Sequence, residues 1–224
     1  GLVPPTTPSN DSATPGLPGQ PPSAEARPLT SGPLDSIFDE YVRVQSQHLD
    51  MPSVLTQLSS FQQAHGDSEA AEALLVSALE KNPQASVSRV NLADLYRAQG
   101  RETAARTTLE RGIQLNKEDA SFWFSLALLE VREGNGKAAL AALEKAASLE
   151  DTPSYYHYIY AVAQHDQGRH TEALATLKAT NRAAPGQPNV LIALVQYSQL
   201  AGDMQAAHRY QTELRNTAQA AGVQ

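Results

Sequence analysis

The stretch SVSRVNLADLYRAQGRETAARTTLERGIQL (86–115), followed after Asn116–Asp119 by ASFWFSLALLEVREGNGKAALAALEKAASL (120–149), reads as one unit written twice. In each copy apolar residues recur at three- and four-residue spacing up to a glycine, then begin again behind it, the pattern of two amphipathic helices. The two glycines, Gly100 and Gly134, are 34 residues apart, and the same step leads back to Gly66 and on to Gly168 and Gly202. A glycine between two helical patterns marks the place where the chain enters the left-handed conformation that only glycine adopts cheaply. The spacing therefore predicts five helix–turn–helix units.

Other columns follow the same step. Five residues after each glycine stand Ala71, Ala105, Ala139, Ala173 and Ala207, small enough to let paired helices approach closely. Eight residues before it stand Leu58, Leu92, Leu126, Tyr160 and Leu194; nine after it stand Leu75, Leu109, Leu143 and Leu177. In the fifth unit that last column falls on Gln211, leaving Tyr210 or Leu214 to fill the gap. Pro83 and Pro185 stop the second helix of two units.

This pattern resembles the tetratricopeptide repeat, over residues 52–219, with Trp123 at the family's aromatic position. The resemblance implies an all-α fold, a right-handed α-solenoid whose first helices line a concave groove. The units run at about 52–85, 86–119, 120–153, 154–187 and 188–221. A narrower similarity, carried by VNLADLYRAQGR from Val90, YYHYIYAVAQHDQGRHTEALATL from Tyr155 and LIALVQYSQLAGD from Leu191, is to such repeats in bacterial envelope proteins, in particular those attached to multihaem c-type cytochromes. It implies a periplasmic or envelope setting and a respiratory or cytochrome-maturation partner. The family's carboxylate clamp for acidic chaperone tails is absent, because Thr56, Ser60, Val90 and Asp94 occupy the inward positions where Lys and Asn would stand.

Upstream of the repeats the chemistry changes. Pro, Gly, Ser and Thr make up 21 of residues 1–33, too little apolar surface to offset the entropy of ordering, so the segment reads as an extended linker or a proline-rich docking strand. Between them, residues 34–51 read as a leading helix that caps the stack, with Leu34, Ile37, Phe38, Tyr41 and Val42 on one stripe and Asp35 or Ser36 as N-cap. The sequence begins at Gly1 rather than Met, which suggests a processed product.

Composition excludes several functions. The net charge of −7 and the absence of a Lys/Arg run argue against a nucleic-acid binder. With no cysteine there is no disulfide, thiolate zinc site, catalytic thiol or CxxCH haem attachment. The longest wholly apolar run, Val190 to Val195, is far shorter than the roughly 20 residues of a membrane helix. GxSxG, HExxH, phosphate-loop and EF-hand patterns are missing, so neither an enzyme nor a cofactor is expected. His157, His165 and His170 are not spaced to share one helical face a turn apart, and no metal site is expected of them. Glu118, Asp119, Glu150 and Asp151 fall between units, where carboxylates cap helices.

What remains is a groove. The second, fifth, ninth and twelfth positions of the units are polar in the first (Ser53, Thr56, Ser60, Gln63) and become apolar and aromatic in the centre. The partner-binding residues expected there are Arg97, Phe124, Leu128, Arg132, Tyr155, Tyr158, Val162 and His165, aromatics for area and arginine for a bidentate grip on a segment of another protein. Plain packing of Tyr155 and Tyr158 on neighbouring repeats stands beside that reading. So do a structural subunit docked to a cytochrome complex, and end-to-end stacking of copies.

Overall fold

The computed structural model describes residues 51–220 and residue 222. The leading helix and the linker expected upstream lie outside the described residues. Among the described residues there are ten helices and no strand. They alternate as inner and outer members of five pairs: α1 (Pro52–Ala64) with α2 (Ser68–Lys81), α3 (Ser86–Ala98) with α4 (Glu102–Leu115), α5 (Ala120–Arg132) with α6 (Gly136–Ser148), α7 (Ser154–Asp166) with α8 (His170–Ala183), and α9 (Pro188–Leu200) with α10 (Met204–Ala220). None is long and apolar enough to cross a membrane.

The turn inside each pair is set by its glycine. Gly66, Gly100, Gly134, Gly168 and Gly202 all have φ between 72° and 81°. In every turn the glycine N–H donates to the carbonyl three residues back, and the next N–H donates to the carbonyl four residues before the glycine, as from Arg101 to Tyr96 at 2.9 Å. These bonds satisfy carbonyls that the ending helix leaves orphaned. Asp67 and Asp203 then start the following helix by accepting from the N–H groups of Ala70 and Ala206.

The alanine column is buried throughout, and so are Leu75, Leu109, Leu143 and Leu177. Leu58, Leu92 and Leu194 are buried, whereas Leu126 and Tyr160 are half-buried. In the fifth pair Tyr210 and Leu214 both pack on the cluster formed by Ala161, Leu177 and Leu194, compensating for Gln211. Each outer helix packs on the inner helix of its own pair and on that of the next, so the core runs along the stack.

Spacing between inner helices is not uniform. α1 lies against α3, where the hydroxyls of Thr56 and Ser88 meet at 2.6 Å, and α3 lies against α5. Beyond α5 the inner helices stand farther apart and aromatic pairs fill the gap: Phe124 on Tyr156 between α5 and α7, His165 on Tyr197 between α7 and α9.

Candidate functional site

The inner positions carry much of the exposed apolar surface. Of the exposed large hydrophobic side chains, Val87 (67%), Val131 (58%), Tyr155 (49%) and Ile192 (45%) stand at the positions the repeat register assigns to the groove, whereas Leu200 (73%) and Met204 (63%) flank the turn between α9 and α10. The comparable positions of the first unit, Ser53, Ser60 and Gln63, are exposed and polar, so the apolar character begins with the second unit.

The centre of this surface is a set of touching rings. Phe124 and Tyr156 stack face to face, with centroids 3.9 Å apart and planes within 3°. Tyr155 tilts against Phe124 at 5.7 Å and against Tyr158 at 6.2 Å, an offset geometry that aromatic quadrupoles favour. Phe124 itself is only 7% exposed, so it supports Tyr155 from below, while Tyr155 and half-buried Tyr158 face outward. Leu128 is half-buried in the same cluster as Phe124, and Val162 is half-buried on α7. Tyr156 was missing from the residues expected of the sequence. The stack depends on its ring, and burial pushes its phenol above the usual range.

The arginines are occupied. Arg97 is held 3.0 Å from Asp94 on its own helix, and the Arg132 Nε donates to Glu102 at 2.6 Å. Outside the groove, Arg101 pairs with Glu72, and Arg106 bridges Glu130 and Glu133. A carboxylate arriving from a partner would therefore compete with a carboxylate already in place, which weakens the case for a charge grip. The groove offers rings and aliphatic side chains first.

At the far edge His165 stacks on Tyr197, centroids 4.0 Å apart, and meets His170 at 4.5 Å. The three rings border a cleft of about 370 Å³ with Leu200 and Ala201. A single-helix count keeps the two histidines apart, whereas the glycine turn at Gly168 folds His170 back onto His165. Among the described residues no group of three or more His, Cys, Asp or Glu is placed to hold a metal. Of the carboxylates between units, Asp119 caps α5 by accepting from the Ser121 N–H. Burial pushes Asp119 up, and hydrogen bonds led by the one from Ser121 hold it lower still than its ordinary value.

Comparison with known proteins agrees with this architecture. Two tetratricopeptide-repeat models match residues 63–129 and 124–188, together more than half of the chain. No curated protein sequence matches. Among solved structures, MamA is similar with a TM-score of 0.61 at 18% identity, over 73% of this chain and 96% of that one. PilW, a type IV pilus biogenesis factor, is similar at 0.60 and 20%, over 75% and 78%. YrrB, described as having an unusual peptide-binding site, is similar at 0.54 and 15%, over 79% and 91%.

Proposed function

The chain belongs to the tetratricopeptide-repeat family, and on that premise we propose that it is a non-catalytic interaction module that binds a segment of another protein along its inner helices. The observation that carries this reading is Tyr155, a large aromatic residue left half in water on top of a ring stack that already satisfies the core. Val87, Val131 and Ile192 extend the apolar surface to either side. Preformed helices leave the ordering cost to the partner alone, and rings supply buried area at little conformational cost. Because Arg97 and Arg132 are ion-paired, the segment this surface suits is apolar or aromatic rather than an acidic tail. Among similar folds, YrrB supports a peptide-binding use. An envelope assembly is the setting we favour, supported by the sequence similarity to envelope repeats and by PilW being a pilus biogenesis factor.

The test is affinity capture from envelope extract with the intact chain and with a Tyr155→Ala/Tyr158→Ala variant of unchanged helicity. Phe124 is left alone because its truncation would open the core. A partner held by the intact chain and lost from the variant supports the groove, and haem staining of that partner reads out the cytochrome alternative. Equal capture by both removes the groove from the function.

A further inference from the structure

The groove does not account for every cavity among the described residues. On the other side of α7 a cleft of about 600 Å³ opens between α6 and α8, with His157 and Tyr160 from α7 and Ala147, Thr176, Thr180 and Ala183 among its walls. Its volume is within the range of about 300–1,000 Å³ typical of small-ligand sites.

Repeat register explains why it is there. Eleven residues before each turn glycine stand Leu55, Arg89, Trp123, His157 and Leu191. Leu55 and Leu191 are buried. Arg89 and Trp123 each reach six residues back along the chain, Nη2 donating to the Pro83 carbonyl at 2.6 Å and Nε1 to the Lys117 carbonyl at 2.8 Å. His157 is shorter than the indole one repeat earlier. Thirteen residues after the glycines of the first three units stand Leu79, Ile113 and Ala147. Leu79 packs on the cluster containing Leu92 and Tyr96 of α3, and Ile113 on the cluster containing Phe122 of α5. Ala147 stops at its Cβ beside α7. Two side chains that are larger at the earlier junctions are thus both short where the third unit, with Ala147, meets the fourth, with His157.

We propose that this cleft is a binding pocket for an indole-sized planar aromatic group that carries one hydrogen-bonding atom. The template for the occupant is Trp123, which puts an indole into the register-equivalent place one repeat earlier. Alanine methyls provide flat apolar contact, and the Tyr160 ring provides an aromatic surface. Burial keeps the His157 imidazole below its usual range, so at neutral pH it is uncharged and offers one N–H and one lone pair. Tyr155 and Tyr158 are not in the walls of this pocket, because residues 154, 157 and 160 lie on a different face of α7 from 155, 158 and 162, although Tyr160 packs on the cluster that holds Phe124.

The test is a titration of the full-length ¹⁵N-labelled chain with indole and, separately, with N-acetyl-tryptophan amide, read by amide shifts. The expected result is saturable shifts centred on Ala147, His157, Tyr160 and Ala183 with a Kd of about 1 mM or tighter. Ala147→Leu, which restores the residue of the first repeat, should weaken binding at least about tenfold with Tm unchanged or raised. If that variant lowers Tm, His157→Leu, which carries the residue of the first and fifth repeats, gives the same reading. Comparable binding of the capped tryptophan identifies a partner's side chain as the natural occupant; binding of free indole alone identifies a small molecule. Absence of saturable shifts in the wild-type chain, or shifts that persist unchanged in the filled variants, overturns the proposal. Tyr155→Ala should leave the titration unchanged, so failure of the groove reading and failure of this one are seen separately.

Discussion

Phe122 lies so close to Gly112 that a Cβ built on the glycine would fall 2.6 Å from the ring's Cε1, with Arg89 Cδ at 2.8 Å on the same spot. Gly112 lies inside α4, one turn before its end, where alanine would ordinarily be preferred by about 1 kcal/mol. Here the neighbours are a buried ring and a buried arginine stem, and neither can move without repacking. Gly112→Ala is therefore expected to destabilise by about 1–3 kcal/mol, as overpacked cores do. Gly136→Ala makes the opposite case, since the atom it meets is the amide end of Gln167, which can swing away. It should be neutral or stabilising by up to about 1 kcal/mol. Urea unfolding of the two variants beside the parent chain decides both.

The helix pairs were legible because five glycines and five alanines repeat at one step, and a periodic backbone demand leaves a periodic residue. The site was legible only in part. Tyr155 and Tyr158 stood at inward positions, but that Phe124 is beneath the surface depends on the unpredicted stack with Tyr156. That Arg132 is spent on Glu102 depends on a contact 30 residues away, between an inner helix and the outer helix of the preceding pair. A per-unit reading sees each partner alone. The cleft beside His157 escaped for a different reason: a shortened side chain is not a motif. It shows only when the column Leu55, Arg89, Trp123, His157, Leu191 is set against its neighbours.

Glu130 ties three elements together. Only 6% exposed, it accepts from Arg106 at 2.5 Å and from Asn135 at 2.9 Å. The Arg106 hydrogen bond, more than burial, moves its carboxyl below the ordinary value of 4.5. The folded state therefore binds this proton less readily than the unfolded chain. The stability Glu130 adds is fully present above the unfolded value and is lost as pH falls through the folded one. Glu130→Gln should lower Tm at pH 7, and the difference from the parent should shrink as pH falls below about 4.5. Thermal melts across that range test it; a difference that stays constant contradicts the assignment.

Tyr155 and Phe124 should separate binding from stability. Phe124 is buried within a cluster that includes Ala127 and Leu143, so Phe124→Ala is expected to cost about 3–5 kcal/mol. Tyr155 is half in water and supports nothing above it. Tyr155→Ala should cost no more than about 1 kcal/mol of stability, the value of its ring contacts, while reducing partner capture. A loss of stability from Tyr155→Ala as large as from Phe124→Ala would make the tyrosine a packing residue and remove it from the binding surface. Chemical denaturation of both variants, run beside capture, reads the two effects independently.

Gly134 isolates the backbone term of the repeat turn. Its φ is +77°, and a Cβ added there would meet nothing within 4 Å, so steric room is not what selects glycine. What selects it is the left-handed conformation, which costs an ordinary L-residue roughly 1–2 kcal/mol. Gly134→Ala should lose about that much, and Gly134→Asn distinctly less, because asparagine tolerates the region. The loss should be shared by Gly100→Ala, whose φ is +72° with equally open surroundings. Because each turn carries the same two closing hydrogen bonds and the two glycines are a full repeat apart, the double variant Gly100→Ala/Gly134→Ala should lose the sum of the single effects to within about 0.5 kcal/mol. A larger deficit in the double variant would mean that the turns are coupled through the core that α5 shares with α3, and urea titrations of the four chains measure it directly.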